Sequence, residues 1–573
     1  MYLFIKIIHK SKKKVGKFAR MNNMLTIRCK NTGRSHSVPM GFNLEQVYEL
    51  LGLQMPYAPT SAKVNNKVEG LHYTLYNNKD IEFINITSES GLRTYTRSLF
   101  FVLFKAVRDL FPESRLRIET GVSNGYYCRV VGVEVTPDVV TAIRERMKQI
   151  VADGLPFHRV TVPINEAIDL FRSHGLEDKA TLLENGSGDL YSNYYTLDML
   201  PDYFYGALLI RTSQITLFDV VPYGDGLLLR IPDPKRPEKL LPMANQDKIF
   251  NVINEQHRLN EILEVSTLGE FNIACKKGRS NEIINISEAL QEKKISKIAD
   301  RIAENRKYKL ILISGPSSSG KTTFSKRLGV QLMACGLHPV SISMDDYFVD
   351  RVKTPLDGNG EYDFENIKAL NIPLFNEQMN ALLSGEEIEL PRYNFQTGKS
   401  ERSGRYVRMK PNGLVVLEGI HALNPMLTEG IEDDYKFKIF ASALTTVLID
   451  HHNYIPTTDI RLLRRIVRDF KYRGFSALET IRRWPSVCAG EEKWIYPFQE
   501  QADEMINTAL LYELSAVRNE ARTILEQVPE HEAEYSEAYR LRKFLNYVIP
   551  ISAHSLPPTS LMREFIGGSS FKY

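Results

Sequence analysis

Residues 315–322 read Gly-Pro-Ser-Ser-Ser-Gly-Lys-Thr, with Gly315, Gly320, Lys321 and Thr322 at the spacing of a glycine-rich phosphate-binding loop. A triphosphate carries several negative charges and has to be held away from bulk water. Glycines let backbone N–H groups turn inward around phosphate oxygens, and a following helix points the positive end of its dipole at them. Lys321 reaches the β- and γ-phosphates, and the Thr322 hydroxyl is placed to ligate Mg²⁺. Ser317, Ser318, Ser319 and Thr323 complete the lining of the loop. The flanks agree, because Tyr308 to Ser314 is an apolar strand candidate and Thr323 to Ala334 has helical periodicity. The motif is specific for a nucleoside triphosphate and says nothing about what receives the phosphoryl group.

Three other segments bear on the acceptor and the metal. The stretch HPVSISMDD ends in Asp345-Asp346, and a carboxylate just past the carboxyl end of a strand lies on the ligand edge of a parallel sheet. It could take a proton from an attacking hydroxyl or hold Mg²⁺; a plain helix-cap aspartate is the alternative. GLVVLEGIH puts Glu418 after another apolar run, where a second acidic group for the metal belongs. Residues 459–475 read DIRLLRRIVRDFKYRGF. On a helix, Arg461, Arg464 or Arg465, and Arg468 fall on neighbouring turns of one side. Such a ridge suits a lid that neutralises charge on the phosphoryl group in transit; a solvated charged face is the alternative.

The elements that position these residues follow from the texture of the chain. From 307 to 514, short β-rich runs alternate with helical segments, which predicts an α/β domain with a parallel sheet flanked by helices. Two smaller α+β modules are expected ahead of it, at 24–87 (with a helix-like stretch from Asn43 to Leu51) and 88–232 (with a first helix near Leu99 to Leu110). Ile231 to Pro242, IPDPKRPEKLLP, reads as a linker that opens a helical connector over 233–306, and 515–573 reads as a C-terminal helical tail.

The chain has 573 residues, enough for several cores, and 43% hydrophobic with 25% charged side chains excludes wholesale disorder. Seven of its 73 Lys and Arg lie in residues 1–20, leaving 66 basic against 69 acidic side chains elsewhere. The body is therefore not a polycation that holds nucleic acid by charge alone. The basic leader 1–23 reads as a disordered arm, or as sequence ahead of a start at Met21 or Met24; its short apolar patch precedes its lysines, the wrong order for a secretory signal. Cys29, Cys128, Cys275, Cys335 and Cys488 lie far apart, so a reducing cytoplasm is expected, and no run is long enough to span a membrane.

With these pieces together, residues of about 308–510 resemble the uridine kinase / phosphoribulokinase family of P-loop kinases. The resemblance makes Asp345 the counterpart of the catalytic base and places Glu418 near the metal. It also aligns Tyr362 and Asp363, in YDF, and Tyr393, in LPRYNF, with the acceptor side. It assigns Arg461, Arg465, Arg468 and Arg473 to the arginine lid, and ADEMI at 502–506 to the closing strand. ATP or GTP and Mg²⁺ are the implied cofactors. Two departures fall on the acceptor side: Gly398 or Lys399 stands where the pyrimidine kinases carry a histidine, and the lid ends Arg473-Gly474-Phe475 instead of R-G-R. The resemblance implies phosphoryl transfer to a small hydroxyl acceptor, a nucleoside first and a pentose phosphate second.

Residues of about 24–87 and 88–232 resemble the TGS and editing domains of threonyl-tRNA synthetase, through AKVNNKVEGLHYTL, DIEFINITSESG and ETGVSNGYYCRV. Aligned by eye, the synthetase's zinc ligands correspond to Thr94, Ser98, Leu200 and Phe204, none a good ligand for Zn²⁺. The resemblance leaves two further roles open, a nucleotide-gated regulatory protein that holds tRNA or RNA and a ligand-sensing half that tunes the kinase, and it leaves room for an oligomer.

Overall fold

A computed structural model describes residues 24–572 apart from 187, 359 and 446. The basic leader lies outside the described residues. The chain divides into two compact units, and the division is not a single cut. One unit comprises Met1–Ala244 with Ile449–Tyr454 and Val528–Phe544; the other comprises Asn245–Leu448, Ile455–Gln527 and Leu545–Tyr573. The stretch 515–573 is thus shared between the units, not a separate tail.

In the first unit, β1 (Met24–Cys29), β2 (Arg34–Pro39), β3 (Pro59–Val64), β4 (Lys67–Glu69) and β5 (Lys79–Asn85) form a sheet in the order β2-β1-β5-β3-β4. The helix Leu44–Leu51 packs on it, started by a capping box in which Asn43 and Gln46 exchange side-chain and backbone hydrogen bonds. A second sheet, β11-β12-β7-β6, uses β6 (Arg115–Val122), β7 (Gly125–Val131), β11 (Asp219–Tyr223) and β12 (Gly226–Arg230). A third, β10-β9-β8, uses β8 (Phe157–Pro163), β9 (Tyr191–Leu197) and β10 (Leu200–Asp202). The helix seen in sequence at Leu99 to Leu110 begins earlier, at Glu89, because Ser88 caps it by accepting the Gly91 N–H. The expected linker after Ile231 is instead an antiparallel hairpin of β13 (Pro232–Asp233) and β14 (Arg236–Leu240). Its turn is closed by Asp233, whose carboxylate accepts the Lys235 N–H and pairs with Arg236, a closure that proline content alone does not announce.

The second unit is built on β15 (Leu310–Ser314), β16 (His338–Ser343), β19 (Gly413–Glu418), β20 (Lys436–Ser442) and β21 (Glu504–Asn507), ordered β16-β19-β15-β20-β21 with every pairing parallel. A hairpin of β17 (Ile388–Asn394) and β18 (Lys399–Val407) stands beside the sheet. Strand β15 is buried along its length, as its unbroken apolar run requires of a central parallel strand. Its side chains alternate between two cores. Ile311 and Ile313 join Phe324, Leu328 and Leu332 of the helix Lys321–Ala334 and Ile295 and Ile298 of the helix Ser280–Glu304. Leu310 and Leu312 join Phe375 and Met379 of the helix Ile372–Leu383 on the other face. Among the described residues no helix is long and apolar enough to cross a membrane.

Candidate active site

Parallel register brings the chemistry to one edge of this sheet. Glu418 is the partner of Ile313 on β15 and of Ser343 on β16, so the phosphate-binding loop after β15, the Asp345-Asp346 turn after β16 and Glu418 itself all leave the carboxyl ends of three adjacent strands. That edge is where open α/β sheets bind ligands.

The loop from 315 to 320 is held from behind. Arg461 Nε donates to the Ser317 carbonyl (2.9 Å), Arg464 Nη1 to the Ser318 carbonyl (3.5 Å) and Thr508 Oγ1 to the Ser319 carbonyl (2.5 Å). Anchoring successive carbonyls outward is what a nest of inward N–H groups needs. Gly315 passes so close to β20 that a Cβ there would lie 2.0 Å from the Ala441 carbonyl oxygen, and Gly320 holds φ at +82° beneath Leu561. Lys321 donates to the Pro316 carbonyl at 2.9 Å, and burial lowers its pKa while Glu418 and Asp345 pull it up. The Ser318 and Ser319 hydroxyls are buried without a hydrogen-bond partner, polar groups that phosphate oxygens would satisfy. The loop therefore fits a nucleotide.

The metal-side groups also assemble. Thr322 Oγ1 lies 3.5 Å from Glu418 Oε1, which accepts a 3.0 Å hydrogen bond from Ser343. Burial, reinforced by Asp345, pushes the Glu418 carboxyl up to about 7. A hard divalent cation would return it to the ionised form, and this oxygen set suits Mg²⁺. Asp346 is raised by burial.

The arginine helix is Thr457–Tyr472, and it splits its cations between two tasks. Arg461 and Arg464 are wholly buried: Arg461 pairs with Glu491 and donates to Tyr496, and Arg464 pairs with Glu513 at 2.6 Å. Glu491 in turn accepts the Ser317 N–H at 2.8 Å. These two arginines buttress the loop. Arg465, Arg468 and Arg473 instead gather around Asp469, at 3.3, 2.7 and 3.7 Å, three cations on one carboxylate. Arg468 first, then burial, drives Arg473 down to about 10. Arg465 also donates to the Ser317 hydroxyl at 2.8 Å, which ties this net-cationic group to the loop.

Beyond Asp345, the wall that the family resemblance assigns to the acceptor is aromatic. Tyr393 is buried, with its hydroxyl unpartnered, and its ring lies 5.4 Å from Phe348 and 5.0 Å from Phe395. Tyr362 is 40% exposed beside Phe364, and Asp363 accepts from Asn366 at 3.3 Å. Sequence reasoning missed several groups here. Glu365 is pushed up to about 7, by burial and then by Glu491, and its Oε2 has no partner. His421 is held at about 4 by burial and stays neutral. Glu365 directly follows the aromatic-Asp segment and His421 follows GluGlyIle, so position beside known motifs was the available signal. Glu564, 241 residues from the loop, had none: its carboxylate accepts from Thr323 N (3.1 Å) and Thr323 Oγ1 (2.7 Å).

In the first unit, Thr94 and Ser98 lie one helical turn apart and are satisfied locally, Thr94 Oγ1 donating to Ser90 O and Ser98 Oγ to Thr94 O. Leu200 is on β10, and Phe204 is buried against Phe101. Among the described residues no group of three or more His, Cys, Asp or Glu is placed to hold a metal ion.

Comparison with known proteins bears out both resemblances. The model of the Phosphoribulokinase / Uridine kinase family matches residues 310–511. A uridine kinase of Halobacterium salinarum is 30% identical over 196 residues, covering 34% of this chain and 77% of the relative. One of Lactobacillus helveticus is 29% identical over 199 residues, covering 34% and 85%. Over the N-terminal region the chain is similar to threonine–tRNA ligases; that of Syntrophomonas wolfei is 27% identical over 199 residues, which are 35% of this chain and 31% of the ligase. The chain spans about a third of the ligases' length. With its loop, its sheet-edge carboxylates and its arginine helix in the family's order, the chain belongs to the Phosphoribulokinase / Uridine kinase family, joined to an N-terminal half akin to that of threonine–tRNA ligases.

Proposed function

We propose that the chain transfers the γ-phosphoryl group of ATP or GTP to a hydroxyl of a nucleoside. The observation that carries this reading is the convergence, at one sheet edge, of the loop, the Asp345 and Glu418 carboxylates and the Arg465–Arg468–Arg473 cluster. Asp345 orients the acceptor hydroxyl and takes its proton. Lys321, with Arg465 and Arg468, stabilises charge on the moving group, and Arg473 adds to that field. Ser317, Ser318, Ser319 and Thr323 hold the phosphates, while Arg461 positions the loop through Ser317. Thr322 and Glu418, with Asp345, would hold Mg²⁺, which supplies charge neutralisation on the phosphate oxygens. Tyr362, Asp363 and Tyr393 form the acceptor wall.

A phosphorylated sugar is the second reading. Arg351 donates to the Phe395 carbonyl at 2.5 Å and the Arg473 guanidinium lies 5.8 Å from the Phe395 ring, so two cations flank the acceptor wall. An ADP-release assay over nucleosides and ribulose 5-phosphate separates the two. Turnover of nucleosides alone supports the first reading, and turnover of the sugar phosphate alone replaces it. Lys321→Ala is expected to abolish turnover while melting like the parent; wild-type turnover by that variant removes the site.

A further inference from the structure

The first unit contains a cavity of about 330 Å³ that the kinase chemistry does not use. Its walls carry Arg93, Arg97, Arg159, Arg540 and Lys543 against two wall carboxylates, Glu69 and Glu537, and Glu89 pairs with Arg93 from outside the wall, so positive charges outnumber negative ones. Glu537 is already committed, to Arg93 at 2.8 Å and to Arg540. Among the described residues Arg97, Arg159 and Lys543 make no ion pair.

Arg97 is built in, not draped over the surface. Its Nε donates to the Ala207 carbonyl at 3.2 Å and its guanidinium carbon lies 5.9 Å from the Tyr205 ring centroid. Gly206 makes room for it, since a Cβ there would fall 2.4 Å from that carbon. Burial, together with the charges of Arg93 and Arg540, depresses Arg97 to about 10. Cations that destabilise one another in a cavity are the electrostatic signature of a missing anion. Guanidinium forks match phosphate oxygens in pairs, and the Phe204 and Tyr205 side of the cavity offers aromatic surface to the rest of a ligand.

We propose that this cavity binds a small organic phosphate, a phosphate or diphosphate ester of nucleotide size, at a site separate from the P-loop. Such an ester brings about two to three negative charges to the surplus of cations. Arg97 grips from the floor, while Arg159 and Lys543, both exposed, close on it from the rim.

The test is calorimetric titration of the full chain, first saturated with a non-hydrolysable ATP analogue, Mg²⁺ and uridine so that the kinase site is filled. The probes are uridine 5′-monophosphate, uridine 5′-diphosphate and ribose 5-phosphate. At least one ester is expected to bind. The double variant Arg159→Ala/Lys543→Ala, which touches only exposed side chains and should keep the parental melting temperature, is expected to weaken that binding by about tenfold or more. Arg97→Ala is expected to abolish it, and Arg97→Lys to restore part of it. Lys321→Ala, titrated with the same esters, is expected to leave this binding unchanged. The proposal is overturned if no ester binds the saturated chain, or if the double variant binds the ester with parental affinity. It is also overturned if a short single-stranded RNA binds through Arg97, Arg159 and Lys543 while the esters do not.

Discussion

Replacing Glu564 by alanine is expected to tighten nucleotide binding. The Glu564 carboxylate takes both the backbone N–H and the hydroxyl of Thr323, at 3.1 and 2.7 Å, in the first turn of the helix that follows the loop. These are donors a phosphate oxygen needs. Glu564 also acts electrostatically on Lys321 and Glu418, so it stands within the field of the phosphate site. A nucleotide must displace this carboxylate or bind beside a like charge. A hydrogen bond to a charged group contributes about 1.5–3 kcal/mol, and losing one such competitor corresponds to about a ten- to hundredfold lower Kd. Glu564→Gln, which keeps an acceptor without the charge, should fall between the parent and the alanine variant. Calorimetric titration with a non-hydrolysable ATP analogue reads the effect directly. An unchanged or higher Kd in Glu564→Ala would refute the reasoning and make Glu564 part of the binding surface.

Three further outcomes are expected. Glu365 titrates near 7 in the folded chain against 4.5 when free, so the native state holds the extra proton and loses stability as pH rises from about 4.5 to about 7. Glu365→Gln should match the parent at pH 5 and exceed it at pH 8 by up to about 3 kcal/mol in denaturant melts; a pH-independent difference would contradict this. Lys179 is wholly buried between Asp202 (2.8 Å) and Asp450 (2.7 Å), so Lys179→Met takes away the ammonium that these two buried carboxylates share and should cost about 3–5 kcal/mol, visible as a lower urea midpoint. Gly315→Ala drives a methyl into the Ala441 carbonyl and should lose nucleotide binding in an equilibrium assay, with retained affinity contradicting the close approach.

The catalytic sheet was legible because central parallel strands are unbroken apolar runs that need no alternation, as in LILIS and GLVVLE. The loop was legible because its glycines, lysine and threonine are adjacent in sequence. Groups that meet only after folding were not. The pairs Arg461–Glu491 and Arg464–Glu513 join residues 30 and 49 positions apart, and the Thr323–Glu564 contact spans 241. On a helical wheel the arginines form one ridge; packing turns Arg461 and Arg464 inward and leaves Arg465 and Arg468 less buried. The hairpin at Pro232–Leu240 was hidden for a different reason, since proline and charge mark turns and edge strands as readily as linkers.

The order in which the chain visits its two units constrains how it can be made and cut. Asp450 and His452 complete the buried polar cluster of the first unit around Asp202, and the stretch up to Phe544 also belongs to that unit. A nascent chain emerging from the ribosome must therefore wait until Phe544 is synthesised before the portion up to Ala244 can finish folding. For the same reason, no single peptide cleavage frees either unit intact, and an excised fragment ending near residue 514 would lack the carboxylate of Glu564 that caps Thr323.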